Sequence, residues 1–173
     1  DLKVLEIPNS VAGAVESAGR LGVSMVTVHA FGGRRVLKAA VAAAAPFPDL
    51  SVLGVTVITS MEDRDLAEVG VESSVVDQVD RLAELARDCG CHGVVASPLE
   101  AARLRATLPD GMLIVTPGTQ LGITGNDQKR VATPFDGIRA GASHLVIGRS
   151  ITRSANPLKA FEEAQRQIDD AAG

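Results

Sequence analysis

The sequence contains no Trp or Tyr and only four Phe, and its formal net charge is −4. It therefore lacks the basic surface and the aromatic stacking groups with which proteins bind nucleic acids. Cysteine is almost as scarce. Cys89 and Cys91 lie next to His92, but no second pair gives the ligand spacing of a zinc site. We predict two reduced thiols, no bound metal and no nucleic-acid partner.

Long apolar segments are also missing. The longest apolar run, Val36 to Phe47, is rich in alanine and is broken by Lys38 and Pro46, so it falls short of the ~20 residues that span a bilayer. The first six residues carry charges and do not resemble a secretory signal. No Pro- or Ser-rich linker divides the 173 residues, of which 46% are hydrophobic. These features predict a soluble cytoplasmic protein with a single domain over residues 1–173 and no contact with a membrane.

Short β-branched runs alternate with alanine-rich or amphipathic stretches, a pattern typical of parallel βα units. One helix is predicted from a cap at Ser73 or Ser74, because apolar residues recur on one face after it, and Gly90 is expected to end that helix. Another is predicted to start at Asn156 and Pro157. The six predicted strands are Leu2 to Leu5, Met25 to His29, Val52 to Ile58, Gly93 to Ala96, Met112 to Val115 and His144 to Ile147.

The spacing of these units favours an α/β fold of the (β/α)8 TIM-barrel type. Six units in 173 residues give about 29 residues each, so eight units would need roughly 230, near the usual size of such a barrel. We therefore expect about six of the eight units in this chain, with the first two missing. An open doubly wound sheet is the alternative, but no glycine-rich phosphate turn follows the first predicted strand.

Two ionic side chains mark the first predicted strand. Residues two apart on a strand point the same way, so Asp1 and Lys3 would both face the barrel interior or its mouth. Burying such a pair has a large desolvation cost, which favours a functional role at a strand end. Glu6 could bring a second carboxylate to the same place. An ordinary surface ion pair is the alternative.

A candidate anion site lies near the other end of the chain. The segment from His144 to Ser150 predicts a strand that runs through Gly148 and Arg149 into a helix start. Exposed N–H groups at a helix N-terminus and an arginine fork bind phosphate well. Barrel enzymes often hold phosphate after their last two strands. The alternative is that Gly148 only turns the chain.

A polar loop with three glycines, Thr116 to Arg130, could close over a ligand as a lid, with Gln128 donating to phosphate oxygens. A plain surface connection is equally compatible with its composition. Thr59 and Ser60 follow another predicted strand and could contact a heterocycle or sugar, or could cap a helix. His29 and His144 lie within apolar strands, where we expect core histidines rather than catalytic bases.

Several segments, taken in order, resemble the bacterial type of orotidine 5′-monophosphate decarboxylase. The resemblance covers nearly the whole chain, and the combination is more specific than any single motif. The segments are Asp1-Leu-Lys3, Ile7-Pro-Asn9, Val57-Ile-Thr-Ser-Met61, Thr116-Pro-Gly118, Asp127-Gln-Lys-Arg130 and Ile147-Gly-Arg149.

The resemblance implies conversion of orotidine 5′-monophosphate to uridine 5′-monophosphate and carbon dioxide, without metal or organic cofactor. It also implies a homodimer with active sites shared between the subunits. Lys3 would donate the proton to the carbanion, with Asp1 beside the substrate carboxylate and Glu6 contributed across the interface. The nucleotide monophosphate would be bound by Ser10, Thr59, Ser60, Pro117, Gln120, Gln128, Gly148 and Arg149.

The sequence departs from the family pattern at a few of these positions. Glu6 stands where the family usually has Asp, Ser10 replaces a usual Thr, and Gln120 replaces an Arg that often binds phosphate. The polar loop is about one residue shorter than the common pattern. Two strands that supply a ribose-binding Asp and another catalytic Lys are expected to be missing, so we expect full activity only from a protein that includes them.

Two alternative functions remain open from the sequence. A magnesium-dependent phosphosugar decarboxylase or aldolase of the same superfamily uses a similar Asp-x-Lys-x-x-Asp strand. A non-catalytic phosphate-binding barrel would instead account for Glu6 and Gln120 as marks of lost catalysis.

Overall fold

The computed structural model describes residues 1–121 and 132–173, which contain five parallel strands separated by helices. The strands pair in chain order, β1 to β5, without a reversal. A doubly wound sheet would reverse its order at a switch point, whereas a barrel wall runs on sequentially. The α/β fold is therefore that of consecutive (β/α)8 barrel units. The strands are β1 Met25–His29, β2 Ser51–Val55, β3 Gly93–Val95, β4 Leu113–Pro117 and β5 His144–Val146.

The two helices whose ends the sequence predicts are present with those ends. Ser74 caps helix α4 (Val75–Asp88) by accepting from the Asp77 N–H at 3.1 Å, and Asn156 caps helix α8 (Pro157–Ala172) by accepting from the Lys159 N–H at 3.0 Å. Gly90 follows α4 with φ +83°, a left-handed conformation that suits glycine and ends the helix. The α-helices described are α1 Pro8–Arg20, α2 Gly33–Ala44, α3 Asp63–Glu68, α4 Val75–Asp88, α5 Pro98–Thr107, α6 Pro134–Arg139, α7 Arg149–Thr152 and α8 Pro157–Ala172.

The first predicted strand, Leu2 to Leu5, is the main difference from expectation. Only an isolated parallel bridge of Val4 to Val28 is present, with N–H···O distances of 2.9 Å from Val4 to Thr27 and from His29 to Val4. Lys3 has φ +51°, outside the extended region, so the ladder is interrupted there. The prediction of a regular strand over Leu2 to Leu5 was wrong. The next predicted strand, Met25 to His29, is present as β1. In β2 the strand ends at Val55 rather than at Ile58.

Alternate side chains of the strands enter two separate apolar clusters. The larger cluster contains Val26, Val28 and Val52 together with residues of the surrounding helices. The smaller one lies on the opposite face of the sheet, which is the barrel interior, and consists of Leu53, Val55, Val95 and Val115 with Met25 and Leu113 packed against them. This period of two assigns every strand residue to the helix side or to the interior.

Two further observations bear on the sequence predictions. Cys89 and Cys91 are buried free thiols, and burial raises the pKa of Cys91 to about 12. His144 is exposed, with Nδ1 at 3.1 Å from the Ser143 hydroxyl, so its prediction as a core histidine was wrong. It lies on β5, an edge strand of the described sheet, where one flank has no neighbouring strand. Among the described helices, none has the length and apolar character needed to cross a membrane.

Candidate active site

Asp1, Lys3 and Thr27 form a connected group beside β1. The Lys3 ammonium Nζ lies 2.5 Å from Asp1 Oδ2. The Thr27 hydroxyl donates to Asp1 Oδ1 at 3.0 Å and accepts the Lys3 backbone N–H at 2.8 Å. Thr27 is buried, whereas the Asp1 and Lys3 side chains remain 48% and 40% exposed. The ion pair is therefore anchored on its buried side and open to an incoming ligand on the other.

The group lies on the interior face of the sheet. Thr27 is two residues from Met25, which packs in the interior cluster, and it pairs in register with Leu53 of that same cluster. Side chains two apart on a strand share a face, so Thr27 points inward. Because the Asp1 carboxylate contacts both Thr27 and the Lys3 ammonium, the ion pair lies on the interior face of the sheet, one of the two positions that the sequence analysis expected.

His29 shares this interior face at the C-terminal end of β1. Its side chain is half-buried, and burial together with the Lys3 charge lowers its pKa below the ordinary value of 6.5. Both causes disfavour a second cation beside Lys3. The lowered pKa means that His29 favours its neutral form beside Lys3.

Glu6 lies apart from the ion pair, at the entrance to α1. Its Oε2 accepts the backbone N–H of Ile7 at 2.7 Å. Glu6 also lines a surface cleft of about 390 Å³ between the starts of α1 and α2, opposite Arg35. Ser10, in the first turn of α1, is exposed. The described contacts therefore do not bring Glu6 or Ser10 to Lys3 within one chain.

Thr59 and Ser60 form the middle of a turn closed by a hydrogen bond of 3.0 Å from the Met61 N–H to the Ile58 carbonyl. Because β2 ends at Val55, they stand four and five residues beyond the strand rather than directly after it. The helix that follows, α3, is capped by Glu62, so neither residue is its cap. Thr59 is half-buried and Ser60 is exposed.

The end of β4 carries two more of the predicted residues. Pro117 is the last strand residue and is half-buried. The Gln120 N–H donates to the Ala132 carbonyl at 3.0 Å, and Thr119 forms a parallel bridge with Ala132, so the described residues on either side of residues 122–131 contact each other. Gln128 and the rest of the Asp127 to Arg130 motif lie outside the described residues. The lid function of the loop stays a prediction.

Gly148 and Arg149 follow β5 directly. Gly148 is the N-cap of α7 and Arg149 its first residue, as the sequence predicts, and both are exposed. A Cβ built on Gly148 would meet no atom of the described residues within 4 Å, so this part of the chain leaves space for a ligand beside the Gly148 backbone. Arg149 makes no ion pair with any residue that the structure describes. An arginine guanidinium at a helix start is suited to bind an anion.

All five described strands are parallel, so the predicted residues that follow β2, β4 and β5 lie on the same side of the sheet, beyond the C-terminal ends of the strands. The Lys3 group stands beside β1 and Arg149 after β5, the two outer strands of the described sheet, and no described hydrogen bond joins them. The described residues contain no group of three His, Cys, Asp or Glu side chains arranged to hold a metal ion.

Thr27 is the site residue that the sequence analysis missed. Its signal was its position, a hydroxyl two residues after Met25 and two before His29 on an otherwise apolar strand. A buried hydroxyl on the inward face of a barrel strand needs a partner, and here the partners are the two ionic residues.

Comparison with known proteins identifies the family. Residues 1–164 match the family described as orotidine 5′-phosphate decarboxylase / HUMPS. The chain is 47% identical over 169 residues to orotidine 5′-phosphate decarboxylase from Neisseria meningitidis serogroup C, covering 96% of this chain and 69% of that protein. It is 49% identical over 170 residues to the enzyme of that name from Chromobacterium violaceum, covering 97% and 69%.

Solved structures agree with the sequence comparison. Orotidine 5′-phosphate decarboxylase from Lactobacillus acidophilus superposes with a TM-score of 0.83 at 32% identity, over 96% of this chain and 73% of that one. The protein of that name from Pyrococcus horikoshii gives a TM-score of 0.69 at 26% identity, over 99% and 72%. The family match over residues 1–164, the sequence identity over almost the whole chain and the structural superposition together mean that this chain belongs to the orotidine 5′-phosphate decarboxylase / HUMPS family.

Proposed function

We propose that the protein decarboxylates orotidine 5′-monophosphate to uridine 5′-monophosphate and carbon dioxide in pyrimidine biosynthesis, with Lys3 as the proton donor. The observation that carries the proposal is the Lys3 ammonium, 2.5 Å from Asp1 on the interior face of the sheet. The reaction needs a cation at the reacting carbon and an acidic proton beside it. Lys3 supplies both in one group.

The chemistry follows from that position. When the bond between C6 and the carboxyl carbon breaks, carbon dioxide leaves and the electron pair remains on C6. A preorganised ammonium stabilises this developing charge more than it stabilises the neutral ring carbon. Lys3 then transfers one Nζ proton to C6, which gives uridine 5′-monophosphate, and regains a proton from solvent. Asp1 holds the ammonium in place and faces the substrate carboxylate.

Binding of the phosphate would orient the reacting ring from a distance. Arg149 and the Gly148 N–H offer an open anion site, and Gln128 would complete it. This binding energy acts far from C6 and fixes the ring against Lys3. The remaining proposed contacts to the nucleotide come from Ser10, Thr59, Ser60, Pro117 and Gln120.

A homodimer with shared active sites forms part of the proposal. The support is the exposed apolar surface beside the cleft that Glu6 lines: Leu5 is 56% exposed and Ile7 64%. Contiguous apolar surface of this kind is typical of protein interfaces. Glu6 would reach the partner's ion pair from there. We further propose that residues 1–173 belong to one barrel domain and that the protein acts in the cytoplasm.

The identity of the relatives weighs against the alternative functions. The curated proteins that match at 47% and 49% identity are named orotidine 5′-phosphate decarboxylases. This favours decarboxylation of the nucleotide over a magnesium-dependent reaction of a phosphosugar. A phosphate-binding barrel without catalysis would bind uridine 5′-monophosphate but release no carbon dioxide.

The decisive experiment follows the loss of orotidine 5′-monophosphate absorbance by the purified full-length protein, with and without a chelator. We expect turnover that the chelator does not change. Lys3→Ala should abolish it, whereas Lys38→Ala, which removes an exposed lysine of α2, should leave it intact. Undiminished turnover in Lys3→Ala would remove Lys3 from the mechanism. Nucleotide binding without turnover in the wild type would support the non-catalytic alternative.

A further inference from the structure

We propose that Thr27 is a positioning residue for the decarboxylation, because its single hydroxyl fixes both members of the Asp1–Lys3 pair. This inference depends on the function proposed above and deepens it. Thr27 does not touch the reacting atoms in this arrangement. It acts through the two residues that do.

The hydroxyl both donates and accepts in these two contacts. Its one proton is donated to Asp1 Oδ1 at 3.0 Å, and its oxygen accepts the Lys3 N–H at 2.8 Å. Asp1 in turn uses its other oxygen, Oδ2, for the Lys3 ammonium. Backbone, carboxylate and ammonium are thus closed into one ring of hydrogen bonds through Thr27.

The backbone of Lys3 makes this anchoring necessary. Among the described residues other than glycine, only Lys3 has a positive φ, +51°. A left-handed conformation in a residue other than glycine is intrinsically unfavourable and persists only where its surroundings enforce it. The Thr27 hydroxyl binds the Lys3 N–H, and the Thr27 carbonyl accepts the next N–H, from Val4, at 2.9 Å. Thr27 therefore accepts the N–H groups of Lys3 and Val4, which lie on either side of the Lys3 Cα.

The side chain of Thr27 is itself rigid. It is buried at 7% exposure, and a β-branched residue on a strand has restricted χ1. A rigid buried hydroxyl can hold the ion pair, which is otherwise open to solvent, in a fixed position relative to β1. Without it, Asp1 and Lys3 would be held mainly by each other.

The inference predicts a loss of kcat rather than of substrate binding. Thr27→Val keeps the volume and β-branching but can neither donate nor accept. A displacement of Lys3 Nζ by about 1 Å would lower kcat about 100-fold, and we expect a loss between about 10-fold and 100-fold. KM and the affinity for uridine 5′-monophosphate should change little, since the phosphate site lies after another strand. Thr27→Ser keeps the hydroxyl and should restore kcat to within about threefold, limited by its freer χ1.

Ser143→Ala provides a matched control. The Ser143 hydroxyl also bridges two backbone groups, accepting from the Ile114 N–H at 2.9 Å and donating to the Ile114 carbonyl at 3.0 Å. It precedes β5, which is four strands away from β1 in the described sheet. Its loss should lower thermal stability without lowering kcat. A purely structural role for Thr27 would make Thr27→Val behave in the same way.

The outcomes separate this inference from the proposed function. If the wild type turns over and Thr27→Val matches its kcat, Thr27 has no positioning role and the proposed function stands. If the wild type does not turn over the substrate, both fall together. Should Thr27→Val fail to fold, Thr27→Cys is measured instead. Its weak sulfur donor and acceptor should give a kcat clearly below that of Thr27→Ser, and equality of the two would overturn the inference.

Discussion

Replacing Asp1 by Asn should separate stability from activity. The substitution preserves the size of the side chain and an oxygen that can accept from Thr27, but it removes the charge facing Lys3. Because the two side chains are 48% and 40% exposed, solvent screens their attraction, and exposed ion pairs contribute about 0–1 kcal/mol to folding. For a domain of this size, about 1 kcal/mol corresponds to a Tm change of roughly 2–4 °C. We therefore expect Asp1→Asn to lower Tm by at most a few degrees.

The effect on turnover should be much larger. In the substrate complex the ion pair is covered by the ligand, so the screening that weakens it in the free protein is lost. Removing one preorganised electrostatic group from such a site typically lowers kcat by about 100- to 1,000-fold. That corresponds to about 2.7–4 kcal/mol of transition-state stabilisation. The catalytic loss should exceed the loss of folding free energy severalfold.

The assay pairs steady-state decarboxylation with thermal unfolding of the same preparation. Asp88→Asn is the matched control, because Asp88 forms an ion pair of 2.9 Å with Arg87 and its side chain is 46% exposed, close to the value for Asp1. Both variants should unfold within a few degrees of the wild type, and only Asp1→Asn should lose activity. If the two variants retained equal activity, the assignment of Asp1 to the reacting centre would be refuted.

Three other substitutions test the rest of the arrangement. Arg149→Ala should raise KM about 10- to 100-fold through loss of charge-assisted hydrogen bonds worth about 1.5–3 kcal/mol. An unchanged KM in the decarboxylation assay would show that Arg149 does not bind the phosphate. Gly93→Ala should destabilise the protein by about 1–3 kcal/mol in a denaturant titration, because its Cβ would lie 2.6 Å from that of Leu113; wild-type stability would contradict the interior packing. Ser74→Ala should destabilise by about 1 kcal/mol by removing the cap on the Asp77 N–H, with kcat unaltered.

Much of the fold could be predicted from the sequence because it depends on local chemistry. The caps at Ser74 and Asn156 are short-range hydrogen bonds, and they appear at the predicted positions. The buried parallel strands are apolar runs bounded by turn residues, and all five described strands overlap their predicted segments. Strand ends were less predictable. Val57 and Ile58 are β-branched and were predicted to belong to β2, but β2 ends at Val55. Its partner there is Val95, the last residue of β3, so no further residue of β3 is left to pair.

The sequence predicts residues of the candidate site but not the hydrogen bonds that connect them. Asp1, Lys3 and Arg149 carry charges that an apolar barrel strand or a helix start would rarely hold without a function, so their residue types identify them. Glu6 shows the limit of this approach. The sequence places it three residues after Lys3, yet its carboxylate accepts from the adjacent Ile7 N–H and lines a separate cleft.

The contacts of Thr27 and the positive φ of Lys3 could not be predicted, because no local sequence pattern encodes them. Threonine is common on strands, and a lysine gives no sign of a left-handed backbone. Both become informative only when residues 24 positions apart meet across the sheet. A strained backbone persists where tertiary contacts enforce it, and here the enforcing contact is also the one that orients the ammonium. The conformation of Lys3 and its proposed catalytic role therefore depend on the same buried hydroxyl, which is why substitution of Thr27 tests both.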